Sequence, residues 1–225
     1  GGQLMDWSPR RRRYACKSKS LAAALAAARP PSRGHGPGGP GTFPEIVAKR
    51  FLADVADGLV YLHRHGVVHR DLKPQNMMLA RDVSDTKVYL IDYGLAKRFN
   101  DPVTGHIPYS RKKSGLTGTP RYASVSSHQG AEQSRRDDLE SLIYIMVYLR
   151  TGKLPWQGMR GSSKKSKYSK IMRMKQNISD RRLSETFPPS FSEFVRTVRN
   201  LRFEQDPPYE ELQQMLLRVA KEAIA

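Results

Sequence analysis

The sequence contains a single cysteine, Cys16, among 225 residues. An intrachain disulfide is therefore excluded, and this composition is typical of a reducing compartment, which suggests the cytoplasm or the nucleus. Long apolar runs are missing as well. The longest run, Leu142 to Leu149, is far shorter than the ~20 residues that cross a bilayer, so we expect a soluble protein without a membrane partner.

Acidic residues are scarce, because 39 Lys and Arg stand against 21 Asp and Glu and leave a net charge of +18. Residues 1–42 carry eight basic residues and one acidic residue, so residues 43–225 keep 31 basic and 20 acidic ones, a net charge of +11. Such a charge attracts phosphate-rich partners of any kind. Nucleic acid is one such partner, but no motif supports it.

Residues 1–42 have almost nothing apolar to bury. They combine the basic run Arg10 to Arg13, an alanine-rich run from Leu21 to Ala28 and a Pro/Gly tract from Pro30 to Gly41. We predict a disordered arm with at most a short helix in the alanine-rich run. The acid-poor composition is also typical of an organellar transit peptide, an alternative that stays open beside a solvated linker.

From Phe43 onwards the pattern is mainly helical. Apolar residues three and four apart predict an amphipathic helix that ends near His65, and similar patterns predict helices over Leu139–Leu149, Phe191–Leu201 and Tyr209–Ala220. Val67 and Val68 favour a short strand, and Met77–Leu79 with Lys87–Ile91 favour a β-hairpin. The basic stretch Lys164–Lys175, taken alone, is typical of a solvated helix face. We therefore predict a mainly α domain over residues 43–225.

Two motifs in this domain carry chemistry. His69 to Asn76 reads H-R-D-L-K-P-Q-N, and Asp92 to Gly94 reads D-Y-G. Asp71 can accept a hydroxyl proton, Lys73 can hold a phosphate, and Asn76 and Asp92 offer oxygen ligands to a hard cation. The ordered pair matches the catalytic loop and the metal-binding loop of protein kinases.

Three further stretches of sequence indicate which group of protein kinases the chain resembles. They are Leu116–Ser124, Glu132–Ser141 and Leu154–Gly158. Most protein kinases have Ala-Pro-Glu where this chain has Ser124-Val125-Ser126, and the casein kinase 1 family lacks that tripeptide too. Residues 43–225 therefore resemble the large, C-terminal lobe of a casein kinase 1-type serine/threonine kinase.

The resemblance implies transfer of the ATP γ-phosphate to a Ser or Thr hydroxyl. Asp71 would deprotonate that hydroxyl, Lys73 would neutralise the moving phosphoryl group, and Asn76 and Asp92 would hold Mg²⁺. The resemblance assigns three supporting roles as well. Thr119 would hydrogen-bond Asp71 and Lys73, Met78 would lie under the adenine, and Asp138 would brace the backbone of His69 and Arg70.

The resemblance also implies a preference for acidic or already phosphorylated protein substrates. The corresponding anion pocket maps onto Arg121, Lys167 and the backbone around Gly158. Two cations and a free amide that converge on one anion form a charge-assisted site, which favours a doubly charged phosphate over a carboxylate. The alternative is that Lys167 contributes only a screened general field. We expect the protein to be a monomer.

The small β lobe of a protein kinase has no counterpart in this sequence. That lobe carries a glycine-rich phosphate loop, a strand lysine and a helix glutamate. The one glycine-rich stretch, Gly34 to Gly41, is interrupted by Pro37 and Pro40 and follows no strand, so we interpret it as linker. We expect a fragment that lacks the small lobe. A non-catalytic, pseudokinase-like scaffold and a basic anion-binding module are the alternatives.

The missing lobe leads to a prediction for residues 1–225 by themselves. Positioning and electrostatics supply nearly all of the catalysis in phosphoryl transfer, so this chain should transfer little or no phosphate. The measurement is an assay of the purified chain with Mg²⁺-ATP and casein. Turnover near the ~1–100 s⁻¹ of ordinary kinases, lost in Asp71→Asn, would contradict the prediction.

Overall fold

The computed structural model describes residues 45–79, 87–111 and 115–222. The predictions for the arm, residues 1–42, lie outside the described residues, and so does the turn predicted over residues 81–86. The described residues form seven α-helices: α1 Glu45–Arg64, α2 Val125–His128, α3 Arg135–Thr151, α4 Lys164–Asn177, α5 Asp180–Ser184, α6 Pro189–Arg199 and α7 Tyr209–Glu222.

Six short strands pair as three antiparallel ribbons. β1 (Val67–Val68) pairs with β4 (Lys97–Arg98), β2 (Met77–Leu79) with β3 (Val88–Leu90), and β5 (Asn100–Asp101) with β6 (Gly105–His106). Two 3₁₀ turns, Pro74–Asn76 and Tyr93–Leu95, follow the two motif loops. The hairpin has Met78 opposite Tyr89. The mainly α fold with a small hairpin that the sequence predicted is thus confirmed.

The central helix α3 is apolar on nearly every face, and Leu142, Ile143 and Ile145 are fully buried. Helices α1, α6 and α7 pack with it to form one core, which includes Leu59, Phe194 and Leu216. The helix begins four residues before the predicted start, where the Ser134 amide donates to Oδ2 of Asp137 at 2.8 Å. It ends at Gly152, which takes the left-handed conformation with φ 73°.

The turn between α1 and β1 depends on a glycine. Gly66 has φ +72°, and a Cβ there would lie 2.8 Å from the carbonyl oxygen of Asn100. Its own carbonyl accepts a hydrogen bond from the amide of Phe99 at 2.8 Å. This close approach joins β1 to the β4–β5 region and fixes where the catalytic loop begins. None of the described helices has the length and apolarity that a membrane-spanning segment needs.

Candidate active site

Asp138 holds the catalytic loop from within the core. It lies near the start of α3 and is 1 % exposed. Its Oδ2 accepts a hydrogen bond from the amide of His69 at 2.7 Å, and its Oδ1 accepts one from the amide of Arg70 at 2.9 Å. One carboxylate therefore fixes two consecutive peptide groups immediately before Asp71.

His63 completes the surroundings of this carboxylate. Its Nε2 lies 3.1 Å from Oδ2 of Asp138, and its Nδ1 lies 2.6 Å from the hydroxyl of Tyr209. With a proton on Nε2, the imidazole donates to the carboxylate, and its Nδ1 pairs with the phenol, so both contacts are hydrogen bonds. Burial alone would raise the pKa of Asp138, but the hydrogen bonds from His63 and from the His69 amide keep that pKa below its ordinary value.

The backbone around Arg70 is strained and tightly covered. Arg70 has φ +65°, a left-handed conformation that non-glycine residues adopt only where the surroundings enforce it. Its Nε donates to the carbonyl of Leu95 at 2.6 Å. Gly118, with φ +89°, packs so closely that a Cβ there would lie 2.5 Å from the Arg70 carbonyl oxygen. This contact brings the segment that contains Thr119 onto the catalytic loop.

Asp71 is the point where the predicted catalytic groups meet. Its Oδ1 accepts from both the amide and the hydroxyl of Thr119, at 2.8 and 2.7 Å, and its Oδ2 lies 2.5 Å from Nζ of Lys73. Nδ2 of Asn76 donates to the Asp71 carbonyl at 2.9 Å. Thr119 was expected to bond Lys73 as well, but among the described contacts its hydroxyl bonds only Asp71.

Asp92 and Asn76 suit a hard cation by their chemistry. Asp92 is exposed, has φ +65° and accepts the amide of Gly94 on Oδ1. The nitrogen of the Asn76 amide is committed to the Asp71 carbonyl, which leaves its oxygen for a cation. The Ile91 amide bonds the Asn76 carbonyl at 2.9 Å and joins the two loops. The described residues contain no cluster of three or more His, Cys, Asp or Glu side chains suited to a metal.

The residues predicted for adenine and for the D-Y-G loop lie on one hairpin face. Met78 is half-buried in β2, and the neighbouring Tyr89, Ile91 and Tyr93 are exposed. The Tyr93 ring lies 5.3 Å from the His69 ring, and its hydroxyl donates to the Leu90 carbonyl at 3.0 Å. The hydroxyl that distinguishes Tyr93 from the commoner phenylalanine is therefore satisfied locally.

The three residues predicted for the anion pocket are not joined by a direct contact among the described residues. The Arg121 guanidinium lies 5.8 Å from the centre of the Tyr148 ring. The backbone carbonyl of Arg121 accepts a hydrogen bond from Trp156 Nε1 at 2.8 Å. Gly158 has φ +83°, and a Cβ at this position would meet open space. Lys167 is exposed in α4.

Comparison with known proteins agrees with this geometry. Residues 32–216 match the model of the protein kinase domain family. The chain belongs to the protein kinase family. It is also 44 % identical over 173 residues to Casein kinase I homolog 2 of Schizosaccharomyces pombe, a match that covers 76 % of this chain and 39 % of the relative. The resemblance to casein kinase 1 is thereby confirmed, and the chain spans about two fifths of the length of that relative.

The sequence did not lead us to predict the buried roles of two residues of this kinase lobe, His63 and Lys175. His63 was not singled out, and Lys175 was grouped with a solvated basic face, although it is 0 % exposed. Spacing gave a signal for both burials, because Lys175 follows Ile171 and His63 follows Leu59 by four residues on the same helix face. No sequence signal pointed to the contacts of His63 with Asp138 and Tyr209.

The Asp138 contacts predict a large loss of stability in Asp138→Asn. The introduced asparagine can accept a hydrogen bond from only one of the two backbone amides, and its NH₂ group would face the other amide, which is also a donor. The free energy of unfolding should therefore fall by about 3 kcal/mol. Asp206→Asn is the matched control, because Asp206 is exposed and its ion pair with Arg135 should be worth under ~1 kcal/mol.

Urea denaturation of the three proteins measures this difference. Because the pKa of Asp138 is depressed, the stability that its charge provides is present above the ordinary pKa of 3.8 and is lost as pH falls below it. Equal midpoints for both variants at pH 7 would contradict the bracing role.

Proposed function

We propose that this lobe, when joined to a small lobe that holds the nucleotide, transfers the γ-phosphate of ATP to serine or threonine hydroxyls of protein substrates, as a casein kinase 1-type enzyme. The observation that carries the proposal is the arrangement around Asp71. Its carboxylate is held on one oxygen by Thr119 and on the other by Lys73, while Asn76 fixes its backbone. A scaffold without chemistry has no need for a carboxylate oriented in this way.

In the proposed reaction the substrate hydroxyl oxygen forms a bond to the γ-phosphorus as the bond from that phosphorus to the ADP oxygen breaks. The hydroxyl proton passes to the carboxylate of Asp71. Lys73, which pairs with Asp71 in this structure, neutralises charge on the phosphoryl group as it moves. The enzyme contributes orientation and charge, which is the main requirement for a loose phosphoryl-transfer transition state.

Asn76 and Asp92 would hold the divalent cation, which we propose is Mg²⁺. When bound, the cation would neutralise negative charge on the phosphates of ATP. The exposed Tyr89 pairs with Met78 across the hairpin, and the exposed Ile91 follows the same strand. We propose that Met78 contacts the adenine. Acidic or phosphate-primed proteins are the proposed substrates, with the anion bound by Arg121, Lys167 and the Gly158 amide.

Joining residues 43–225 behind the small lobe of the fission yeast relative tests the catalytic proposal. The fusion should phosphorylate casein with Mg²⁺-ATP, and Asp71→Asn should lower kcat by roughly 10²–10⁴-fold because the general base is lost. Asp57→Asn, an exposed aspartate in α1, is the control and should retain full activity. An active Asp71→Asn fusion, or an inactive parent fusion that is folded, would refute the assignment.

Substrate choice is tested with a phosphate-primed peptide and its unprimed form. A local pocket predicts that Arg121→Ala and Lys167→Glu each lower kcat/KM for the primed peptide about tenfold or more, the loss expected for one charge-assisted hydrogen bond. Both variants should leave the unprimed peptide nearly unaffected. Lys164→Glu, three residues from Lys167 in the same helix, should do much less. Equal losses for all three variants on both peptides would leave only a general electrostatic field.

A further inference from the structure

Helix α4 contains one basic residue that does not face water. Lys164, Lys165, Lys167, Lys170 and Arg173 are exposed, whereas Lys175 is 0 % exposed. Burying an ammonium group costs free energy unless polar partners replace its water. A methionine would fill a similar volume without that cost. The ammonium at this position must therefore be explained by what its Nζ contacts.

Nζ of Lys175 donates to two carbonyl groups of the segment that follows Thr119. It lies 2.9 Å from the oxygen of Pro120 and 2.5 Å from the oxygen of Ala123. It also lies 4.7 Å from the centre of the Tyr144 ring and 4.9 Å from that of Trp156. The two carbonyls and the two aromatic rings together surround Nζ of Lys175 within the core and stabilise its positive charge.

None of the described charged groups around Lys175 competes with the Pro120 and Ala123 carbonyls for its Nζ. Burial lowers the pKa of Lys175 to about 7, and the charge of Glu140 opposes that effect. His128 Nε2 lies 3.4 Å from Nζ, and burial followed by the charge of Lys175 lowers the pKa of His128 to about 4, so the imidazole is neutral. Arg199 contacts Lys175 only through its backbone carbonyl. No carboxylate of the described residues forms an ion pair with Nζ that would draw it away.

Residues 119–123, called here the 119–123 segment, depend on these core contacts. The amides of Tyr122 and Ala123 both donate to the Thr119 carbonyl, at 3.0 and 2.9 Å, so the segment is a tight turn. Three of its carbonyls are bonded from the core: those of Pro120 and Ala123 by Lys175, and that of Arg121 by Trp156. The Pro120 carbonyl also lies 3.2 Å from Nε2 of His128. Thr119, at the start of the turn, bonds the Asp71 carboxylate.

We propose that Lys175 is a positioning residue for substrate recognition. Its Nζ, which donates to Pro120 and Ala123, fixes the 119–123 segment against the core, and thereby sets the position of Thr119 beside Asp71 and of the half-buried Arg121. Lys175 touches neither ATP nor the reacting atoms. This inference rests on the proposed kinase function for its effect on substrates, but the ordering of the 119–123 segment stands independently of that function.

The first test asks whether the charge, rather than the volume, orders the segment. In the full chain with Cys16→Ser, the substitution Lys175→Cys provides the only thiol. Alkylation of the unfolded protein with 2-bromoethylamine restores an ammonium at the length of lysine, and alkylation with 1-iodopropane gives a neutral side chain of the same length. After refolding, amide hydrogen exchange is measured at Tyr122 and Ala123.

We expect those two amides to exchange about tenfold faster in the propyl form than in the aminoethyl form, the effect of one lost charged hydrogen bond. The amides of Leu142 and Ile143 in α3 should exchange equally in both forms, which shows that the fold is intact. Equal exchange at Tyr122 and Ala123 in the two forms would overturn the proposal.

The second test uses the fusion with the relative's small lobe. Lys175→Met should raise KM for a peptide substrate about tenfold and leave KM for ATP unchanged, whereas Arg173→Met, on the exposed face of α4, should change neither. A rise in both KM values together with fast exchange in α3 would indicate that Lys175→Met has a folding defect. The exchange rates of Tyr122 and Ala123 in the aminoethyl and propyl forms would then decide whether the proposal holds. Unchanged KM values in a folded variant would refute the positioning role. An inactive parent fusion would count against the kinase proposal alone, because the exchange test does not require catalysis.

Discussion

A single buried carboxylate is the constraint on which the site depends. Asp138 is inside the core and accepts hydrogen bonds from the two amides that precede Asp71. The chain there would otherwise relax, because Arg70 has a left-handed backbone that costs roughly 1–3 kcal/mol at a non-glycine residue. Leaving either amide unpaired inside the protein would cost a further ~1–3 kcal/mol. The catalytic loop therefore keeps its shape because the apolar helix α3 places Asp138 beneath it.

The same principle operates on the other side of Asp71. Lys175 and Trp156 satisfy the carbonyl groups of the 119–123 segment from the core, and Thr119 then reaches the Asp71 carboxylate. Gly118 allows this approach, since any larger residue would collide with the Arg70 carbonyl. Two irregular loops thus meet at one carboxylate, and each is held by a buried polar group on a helix. Rigid helices with fixed polar side chains are an efficient way to orient groups for phosphoryl transfer.

The sequence predicted most of the fold because its helices have strong apolar periodicity, as α1, α6 and α7 show. H-R-D-L-x-x-x-N and D-Y-G are specific patterns, and from them the sequence nominated Asp71, Lys73, Asn76 and Asp92, whose roles stay predictions. It could not predict contacts that bring together distant residues, such as His63 with Tyr209 or Lys175 with Pro120. Strands of two residues, such as β5 and β6, leave no period to detect in the sequence. The roles of the anion-site residues remain predictions, since the described contacts do not bring Arg121 and Lys167 together.

The most direct test of this account is native-state amide hydrogen exchange at His69 and Arg70 in the unmodified chain. These residues lie in a loop, so without the brace their amides would exchange at rates close to those of exposed peptides. If Asp138 holds the loop as the structure shows, both amides should be protected to nearly the same degree as Leu142 and Ile143 in the buried part of α3. Fast exchange at His69 and Arg70 beside slow exchange in α3 would contradict the claim that this lobe assembles its own catalytic loop.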